Sequence, residues 1–164
     1  MKTHFSGKIW IVNDDIDTDI IIPTEYLALS SLDEMAAYAF SPLRPGFAKE
    51  IKPGDILVAG KNFGCGSSRE QAVEVIKKLG VAAIIAKGFA RIFYRNAINN
   101  GLLVLENPLL KDNVSEGDEI EIIVGKEIIH NSNSYPLQAI DDNVMQILEC
   151  GGLVPAMKKR NGSE

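Results

Sequence analysis

One stretch, Asn62-Phe63-Gly64-Cys65-Gly66-Ser67-Ser68-Arg69-Glu70, narrows the folds open to this chain more than any other feature. The apolar run Asp55-Ile56-Leu57-Val58-Ala59-Gly60 enters it, and an amphipathic run from Gln71 to Leu79 leaves it. The order is strand, glycine-rich turn, helix start. A helix N-terminus carries unpaired backbone N–H groups and a partial positive charge, so such a turn is a ready anion site. Ser67 and Glu70 have the spacing of a capping box, which predicts Ser67 as the residue that caps the helix. The glycines let a ligand or another backbone approach where a Cβ would block it.

The residues beyond this turn decide the fold class. Ala72, Val75, Ile76 and Leu79 share one helical face, with Gly80 placed to stop it. Val81 to Ala86 is a continuous apolar run of strand length, Phe89 to Asn100 reads as a second helix stopped by Gly101, and Leu102 to Leu105 as a further strand. Strand–helix–strand–helix–strand predicts an α/β fold with a parallel βαβαβ core and right-handed crossovers. In such a sheet ligands bind beyond the carboxyl ends of the strands, where Gly64 to Arg69 lies.

The flanks are simpler. Lys8 to Val12 reads as a strand, followed by the acidic turn Asn13-Asp14-Asp15-Ile16-Asp17-Thr18-Asp19 and the apolar Ile20-Ile21-Ile22-Pro23. The aspartates lack the central glycine and distal glutamate of a calcium-binding EF-hand loop. Capping of backbone N–H groups accounts for the first three. Asp19 abuts the apolar run, which predicts a partly buried carboxylate in need of an arginine or N–H partner. A short helix capped by Ser30 or Ser31 is expected up to Phe40, with Leu32, Met35, Ala36 and Ala39 on one face. Gly117 to Val124, Glu127 to His130 and Tyr135 to Gln138 read as a small β-rich meander. Asp141-Asp142 caps a last helix through Glu149 ended by Gly151-Gly152, and Lys158 to Glu164 reads as a mobile tail. Residues 1–164 are expected to form a single domain, with no repeat and no linker.

Composition excludes some function classes. A formal charge of −5 argues against a nucleic-acid binder, which would show a basic face. The apolar runs fall far short of the roughly 20 residues a membrane helix needs. No signal peptide precedes the first strand, and two cysteines, Cys65 and Cys150, give no disulfide framework, so a cytoplasmic location is expected.

The chemistry narrows by elimination. Cys65 as a nucleophile would need a base, and the chain has two histidines, His4 and His130, in unremarkable surroundings. A Gly-x-Ser-x-Gly elbow is absent, as is the Lys-Ser/Thr of a phosphate-binding loop. Two cysteines cannot hold an iron–sulfur cluster, and no metal site is expected in this chain. What remains is an anion-binding turn whose serine could serve as a base only if N–H donors stabilise its alkoxide in a water-poor site. That is half an active site. A stand-alone anion-binding regulatory module, or a hydrolase using Ser67 or Cys65, stays open on the residues alone.

Three motifs in order, Asp17-Thr18-Asp19-Ile20-Ile21-Ile22-Pro23, Gly64-Cys65-Gly66-Ser67-Ser68-Arg69-Glu70 and Phe89-Ala90-Arg91-Ile92-Phe93-Tyr94-Arg95-Asn96-Ala97, resemble the small subunits of the isopropylmalate isomerase branch of the aconitase family. The resemblance spans essentially the whole chain. It implies the layered β/β/α swivelling domain of that family and a hydro-lyase that moves a hydroxyl to the neighbouring carbon through an enoate. It also implies a partner large subunit carrying a [4Fe–4S] cluster that acts as a Lewis acid. By the same resemblance Ser67 matches the proton-abstracting serine, Arg69 the arginine that binds a substrate carboxylate, and Asp19 the aspartate that positions catalytic groups. Ser68 stands beside them, and Arg91 and Arg95 are expected to brace the turn or meet the partner.

The loop Tyr26-Leu27-Ala28-Leu29 is where this branch selects its substrate; homoaconitase-like members resemble Tyr-Leu-Arg-Thr there. Ala28 and Leu29 offer an apolar surface and no cation for a third carboxylate, which favours 2-isopropylmalate over homocitrate. A dehydratase for a methylated malate such as 2,3-dimethylmalate remains an alternative, because its side groups are also apolar.

Overall fold

The computed structural model describes residues 3–162. The chain runs β1 (His4–Ile11), α1 (Thr18–Ile21), a 3-10 helix (Thr24–Ala28), α2 (Leu32–Ala36), α3 (Phe47–Glu50), β2 (Ile56–Ala59), α4 (Glu70–Lys78), β3 (Ala83–Ala86), α5 (Arg91–Asn99) and β4 (Val104–Glu106). A second 3-10 turn (Lys111–Asn113) leads to β5 (Glu119–Ile123), β6 (Glu127–His130), β7 (Asn133–Pro136), α6 (Asp142–Glu149) and α7 (Leu153–Arg160). The strands form one sheet in the order β4-β3-β2-β1-β5-β6-β7.

β1 is shared between two halves of that sheet. Its last residues, Ile9 to Ile11, pair parallel with Ile56 to Val58 of β2, while His4 to Lys8 pair antiparallel with β5. β2, β3 and β4 continue in parallel, and β5, β6 and β7 form an antiparallel meander. The sequence pattern explains the split. β2 and β3 are buried at every residue, as strands covered on both faces must be, whereas Glu119, Ile120, Glu121 and Ile122 of β5 alternate exposed and buried. Burial on both faces is what selects a continuous apolar run over an alternating one.

α4 buries Ala72, Val73, Val75 and Ile76 and ends at Gly80, whose φ of +84° suits the left-handed position after a helix. α5 buries Phe93, Ala97 and Ile98 and is followed by Gly101 at φ +76°. At the other end of the sheet Trp10 donates from Nε1 to the buried Asp55 carboxylate at 2.8 Å, which also accepts the Lys52 backbone N–H at 2.8 Å. This ties β1 to the turn before β2 and leaves neither polar group unpaired.

The structure corrects several expectations. The helix expected up to Phe40 is the single turn-and-a-half of α2, capped by Ser31, which accepts from Glu34 N–H at 3.2 Å. Ile20 and Ile21, in a run to which the sequence reading assigns no element, are helical, because Asp17 caps α1 by accepting from the N–H groups of Asp19 and Ile20. Gly151-Gly152 does not end the fold. A further helix, α7, begins directly after Gly152, so Lys158 to Arg160, expected to be mobile, form its last turn; Ser163 and Glu164 lie outside the described residues. Among the described residues no helix is long and apolar enough to cross a membrane.

Candidate functional site

Three loops leaving the carboxyl ends of β1, β2 and β3 are laced together. The acidic turn after β1 clasps the glycine-rich turn after β2. Asp14 accepts from Lys61 N–H at 2.7 Å, Asn62 donates to Asp15 at 3.1 Å, and Gly64 N–H donates to the Ile16 carbonyl at 2.7 Å. Asp17 pairs with Cys65 as an isolated parallel bridge, and Phe63 pairs in the same way with Phe89 in the loop after β3. Asp14, Asp15 and Asp17 are therefore spent on backbone and amide groups, as capping predicts.

Gly64 is required where it stands. Its φ is +84°, and a Cβ there would lie 2.2 Å from Cγ of Phe93. The turn thus packs directly onto an aromatic floor of Phe63, Phe89 and Phe93, with Phe63 edge-on to both others at centroid distances of 6.0 and 5.2 Å.

Above that floor lies a cavity of about 300 Å³ lined by Thr18, Gly64, Gly66, Ser67 to Arg69, Ala90 to Phe93 and Asn96. Two helices, α4 and α5, begin at its wall, and no side chain caps either. Uncapped amides with aligned peptide dipoles make this a place for negative charge.

Ser67 does not cap α4. The helix starts at Glu70 with Arg69 as its capping position, and the expected Ser67–Glu70 capping box is absent. The physical reason is competition. Thr18, only 3% exposed, donates from Oγ1 to the Ser67 carbonyl at 2.8 Å, Gly66 turns the chain at φ +91°, and Arg69 is extended at φ −132°. Ser67 and Ser68 are both exposed at the cavity, and their hydroxyls make no hydrogen bond with other described residues. Ser67 is held in place through its backbone carbonyl, and its hydroxyl makes no bond to another described residue.

Arg69 is the opposite case. Its side chain is 16% exposed and anchored three ways. Nη1 pairs with the Asp19 carboxylate and donates to the Ile22 carbonyl at 3.2 Å, and Nη2 donates to Thr24 Oγ1 at 2.9 Å. A guanidinium carries five N–H groups, so three partners leave capacity for a ligand carboxylate. Asp19 gains the arginine its position called for, yet its side chain is 61% exposed, not partly buried as expected. It sits in the single turn of α1, whose Thr18 and Ile21 face inward and leave Asp19 on the outer side.

Other candidates fall further out. Ala28 is exposed at the end of the 3-10 helix and Leu29 is half-buried beyond it; neither lines the cavity. Arg91 does line it, while Arg95 does not, and neither guanidinium bonds to any other described residue, so they do not brace the turn. Ala90, which has no side chain to cap α5, was the local mark in the sequence of an uncapped helix start beside Arg91. Cys65 is half-buried, and burial, followed by Asp17 and Asp15, pushes its thiol above the ordinary value. That disfavours the thiolate needed for metal binding or attack. Cys65 and Cys150 are both free, and among the described residues no group of three or more His, Cys, Asp or Glu side chains could hold a metal ion.

The fold and this turn define a class of α/β domain in which an exposed serine and an anchored arginine stand on one cavity wall where two uncapped helices begin. The chain belongs to the aconitase C-terminal domain family, whose model matches residues 8–109. It is 63% identical to a 3-isopropylmalate dehydratase small subunit from Lachnospira eligens over 99% of each chain. It is 49% identical to a methanogen homoaconitase small subunit from Methanothermobacter thermautotrophicus, over 94% of this chain and 91% of that one. A crystal structure of 3-isopropylmalate dehydratase from Methanocaldococcus jannaschii superposes with a TM-score of 0.89 at 42% identity, covering 96% of this chain and 95% of the other.

Proposed function

We propose that this chain is the small subunit of a two-subunit hydro-lyase that interconverts 2-isopropylmalate and 3-isopropylmalate, a step of leucine biosynthesis. The observation that carries the reading is the pairing of an exposed, unpartnered Ser67 with a triply anchored Arg69 on the wall of a cavity where two uncapped helices begin. Arg69 binds one substrate carboxylate and Asp19 holds that arginine in orientation. Ser67 removes a proton from carbon as the hydroxyl leaves the neighbouring carbon, and returns it when water adds at the exchanged position. Ser68 and the helix amides supply donors to the substrate's negative charge.

The chain lacks groups that fit an iron–sulfur cluster, since it has two cysteines and the Cys65 thiol is biased toward its neutral form. The cluster is accordingly assigned to the large subunit, and activity to the assembled pair. Ile92, 55% exposed on the cavity wall, and the unpaired Arg91 and Arg95 belong to the surface that subunit would cover.

Overall identity does not choose the substrate, because a homoaconitase small subunit is nearly half identical to this chain. Ala28 and Leu29 lie outside the cavity of this chain, but as an apolar pair they offer no counter-charge to a third carboxylate, which favours 2-isopropylmalate over homocitrate in this reading and leaves 2,3-dimethylmalate open. The test is an anaerobic assay of the chain with its cluster-bearing partner, following enoate absorbance with 2-isopropylmalate, 2,3-dimethylmalate and homocitrate. Expected is turnover only by the mixture, strongest with 2-isopropylmalate, and a loss of about 10²- to 10⁴-fold in Ser67→Ala. Turnover by this chain alone overturns the reading; preference for 2,3-dimethylmalate or homocitrate reassigns the substrate.

A further inference from the structure

Among the buried polar side chains of the described residues, Thr18 alone lines the cavity beside Ser67. It grips the glycine-rich turn at two carbonyls. Its backbone N–H donates to the Cys65 carbonyl at 2.9 Å, and its Oγ1 to the Ser67 carbonyl at 2.8 Å. Gly66 lies between the two at φ +91°, where a Cβ would stand 3.3 Å from Asp17 Cβ and 3.6 Å from Thr18 Oγ1. The corner is thus pressed against α1 and held there by bonds on both sides of the glycine. A trans peptide is planar, with its C=O and N–H pointing in opposite directions. No cis bond occurs among the described residues. Pinning the Ser67 carbonyl to Thr18 therefore also fixes the Ser68 N–H, which faces away from Thr18 and donates to no other described residue.

We infer that Thr18 is a positioning residue: its hydroxyl holds the Ser67–Ser68 peptide plane, and with it the direction from which Ser67 meets the carbon that loses its proton. The inference deepens the proposed reaction and rests on it. Neighbouring residues of α1 serve different partners. Thr18 holds Ser67, while Asp19, with the Ile22 carbonyl and Thr24, holds Arg69. The two sets of bonds share no atom, so proton transfer and carboxylate binding are separable by mutation. Removing the Thr18 hydroxyl spares its backbone bonds to Cys65 and Ile22 and leaves the Ser67 carbonyl without a partner. The peptide plane is then free to rotate, and a base misplaced by about 1 Å costs up to about 10²-fold in rate.

The experiment uses the assembled two-subunit enzyme with 2-isopropylmalate. In Thr18→Val, which keeps the size and loses the donor, kcat falls about 10- to 10²-fold while KM stays within about twofold. The kinetic isotope effect on kcat, with deuterium at the carbon that loses its proton, grows in the same variant because proton removal becomes the slow step. Thr18→Ser, which keeps the hydroxyl, restores kcat to within about threefold and returns the isotope effect to its original size. Where thermal unfolding shows that Thr18→Val does not fold, Thr18→Cys, a weaker donor of similar size, takes its place with the same expected split. A kcat in the donor-poor variant equal to that of Thr18→Ser, or a rise in KM as large as the fall in kcat, overturns the inference and leaves the proposed reaction standing. An unaltered enzyme that does not turn over 2-isopropylmalate removes the reaction and the inference together.

Discussion

The two halves of the sheet meet along β1 and put the same residue types to opposite uses. On the parallel side every strand end opens into a turn that must pack against another turn, and glycines, aspartates and an arginine are consumed in that lacing. On the antiparallel side the turn that enters β5 is open. A Cβ built on Gly117 meets nothing within 4 Å, whereas one on Gly64 would collide with Phe93. Parallel connections bring successive carboxyl ends together at one edge, while a meander sends successive ends to alternate edges. A site therefore assembles on one half, and the other half braces β1.

The largest effect separates the halves by function. On the proposed reading, Arg69→Ala in the assembled enzyme lowers kcat/KM for 2-isopropylmalate by about 10²- to 10³-fold, the worth of a charge-assisted carboxylate contact. Glu127→Ala, which removes a hydrogen-bonded carboxylate from the meander, leaves kcat/KM within about twofold. A meander substitution as damaging as the arginine loss would break the division.

Next comes a comparison of glycines. Gly64→Ala carries both the cost of a left-handed alanine and the clash with Phe93, about 3–5 kcal/mol together. Gly117→Ala, at φ +94° in open space, carries the conformational cost alone, about 1–2 kcal/mol. Urea midpoints at constant slope measure both. Equal losses would show that the aromatic floor yields to the turn, and the cradle would then be soft.

The same contrast explains what could be read from the sequence. β2, β3 and the glycine stops after α4 and α5 were legible, because burial on both faces and a left-handed turn leave local marks in residue type. The arginine partner of Asp19, and the placing of Ser67 and Arg69 at one turn beyond β2, were legible as a pattern. The exposure of Asp19 and the true start of α4 were not, since Thr18 and Thr24 fix them across separations of more than 40 residues. α7 was hidden for a related reason. Gly152 reads as a stop, but its Cα lies so near the Asn99 carbonyl that a Cβ would sit 2.7 Å away, and the chain turns there and begins a new helix. The N-terminal part of β1 escaped notice because Gly7, which a strand ordinarily avoids, is needed to pass the Gly54 carbonyl.

The smallest predicted effect places one carboxyl from each half side by side. Asp112 is held below the ordinary carboxyl range chiefly by its hydrogen bonds from the Lys87 ammonium, at 2.9 and 2.8 Å, just past β3. Asp118, at the root of the meander, is held down chiefly by the Ser115 backbone N–H, with His130 Nε2 at 3.0 Å adding to it. A carboxyl whose folded value is depressed contributes stability above its unfolded value of about 3.9 and loses it as pH falls through the folded value. Asp112→Asn and Asp118→Asn therefore each lower stability at neutral pH and flatten the loss on acidification below about pH 4. Salt distinguishes them. At about 1 M salt the screening length falls to about 3 Å, which weakens the exposed Lys87–Asp112 pair more than a short bond from a fixed amide. Carboxyl titration by NMR should show Asp112 moving back toward its ordinary value while Asp118 moves less. Equal movement would mean that Asp118 is held by the His130 charge rather than by the turn, and the meander would then owe its root to the same side-chain ion pairing that serves the other half.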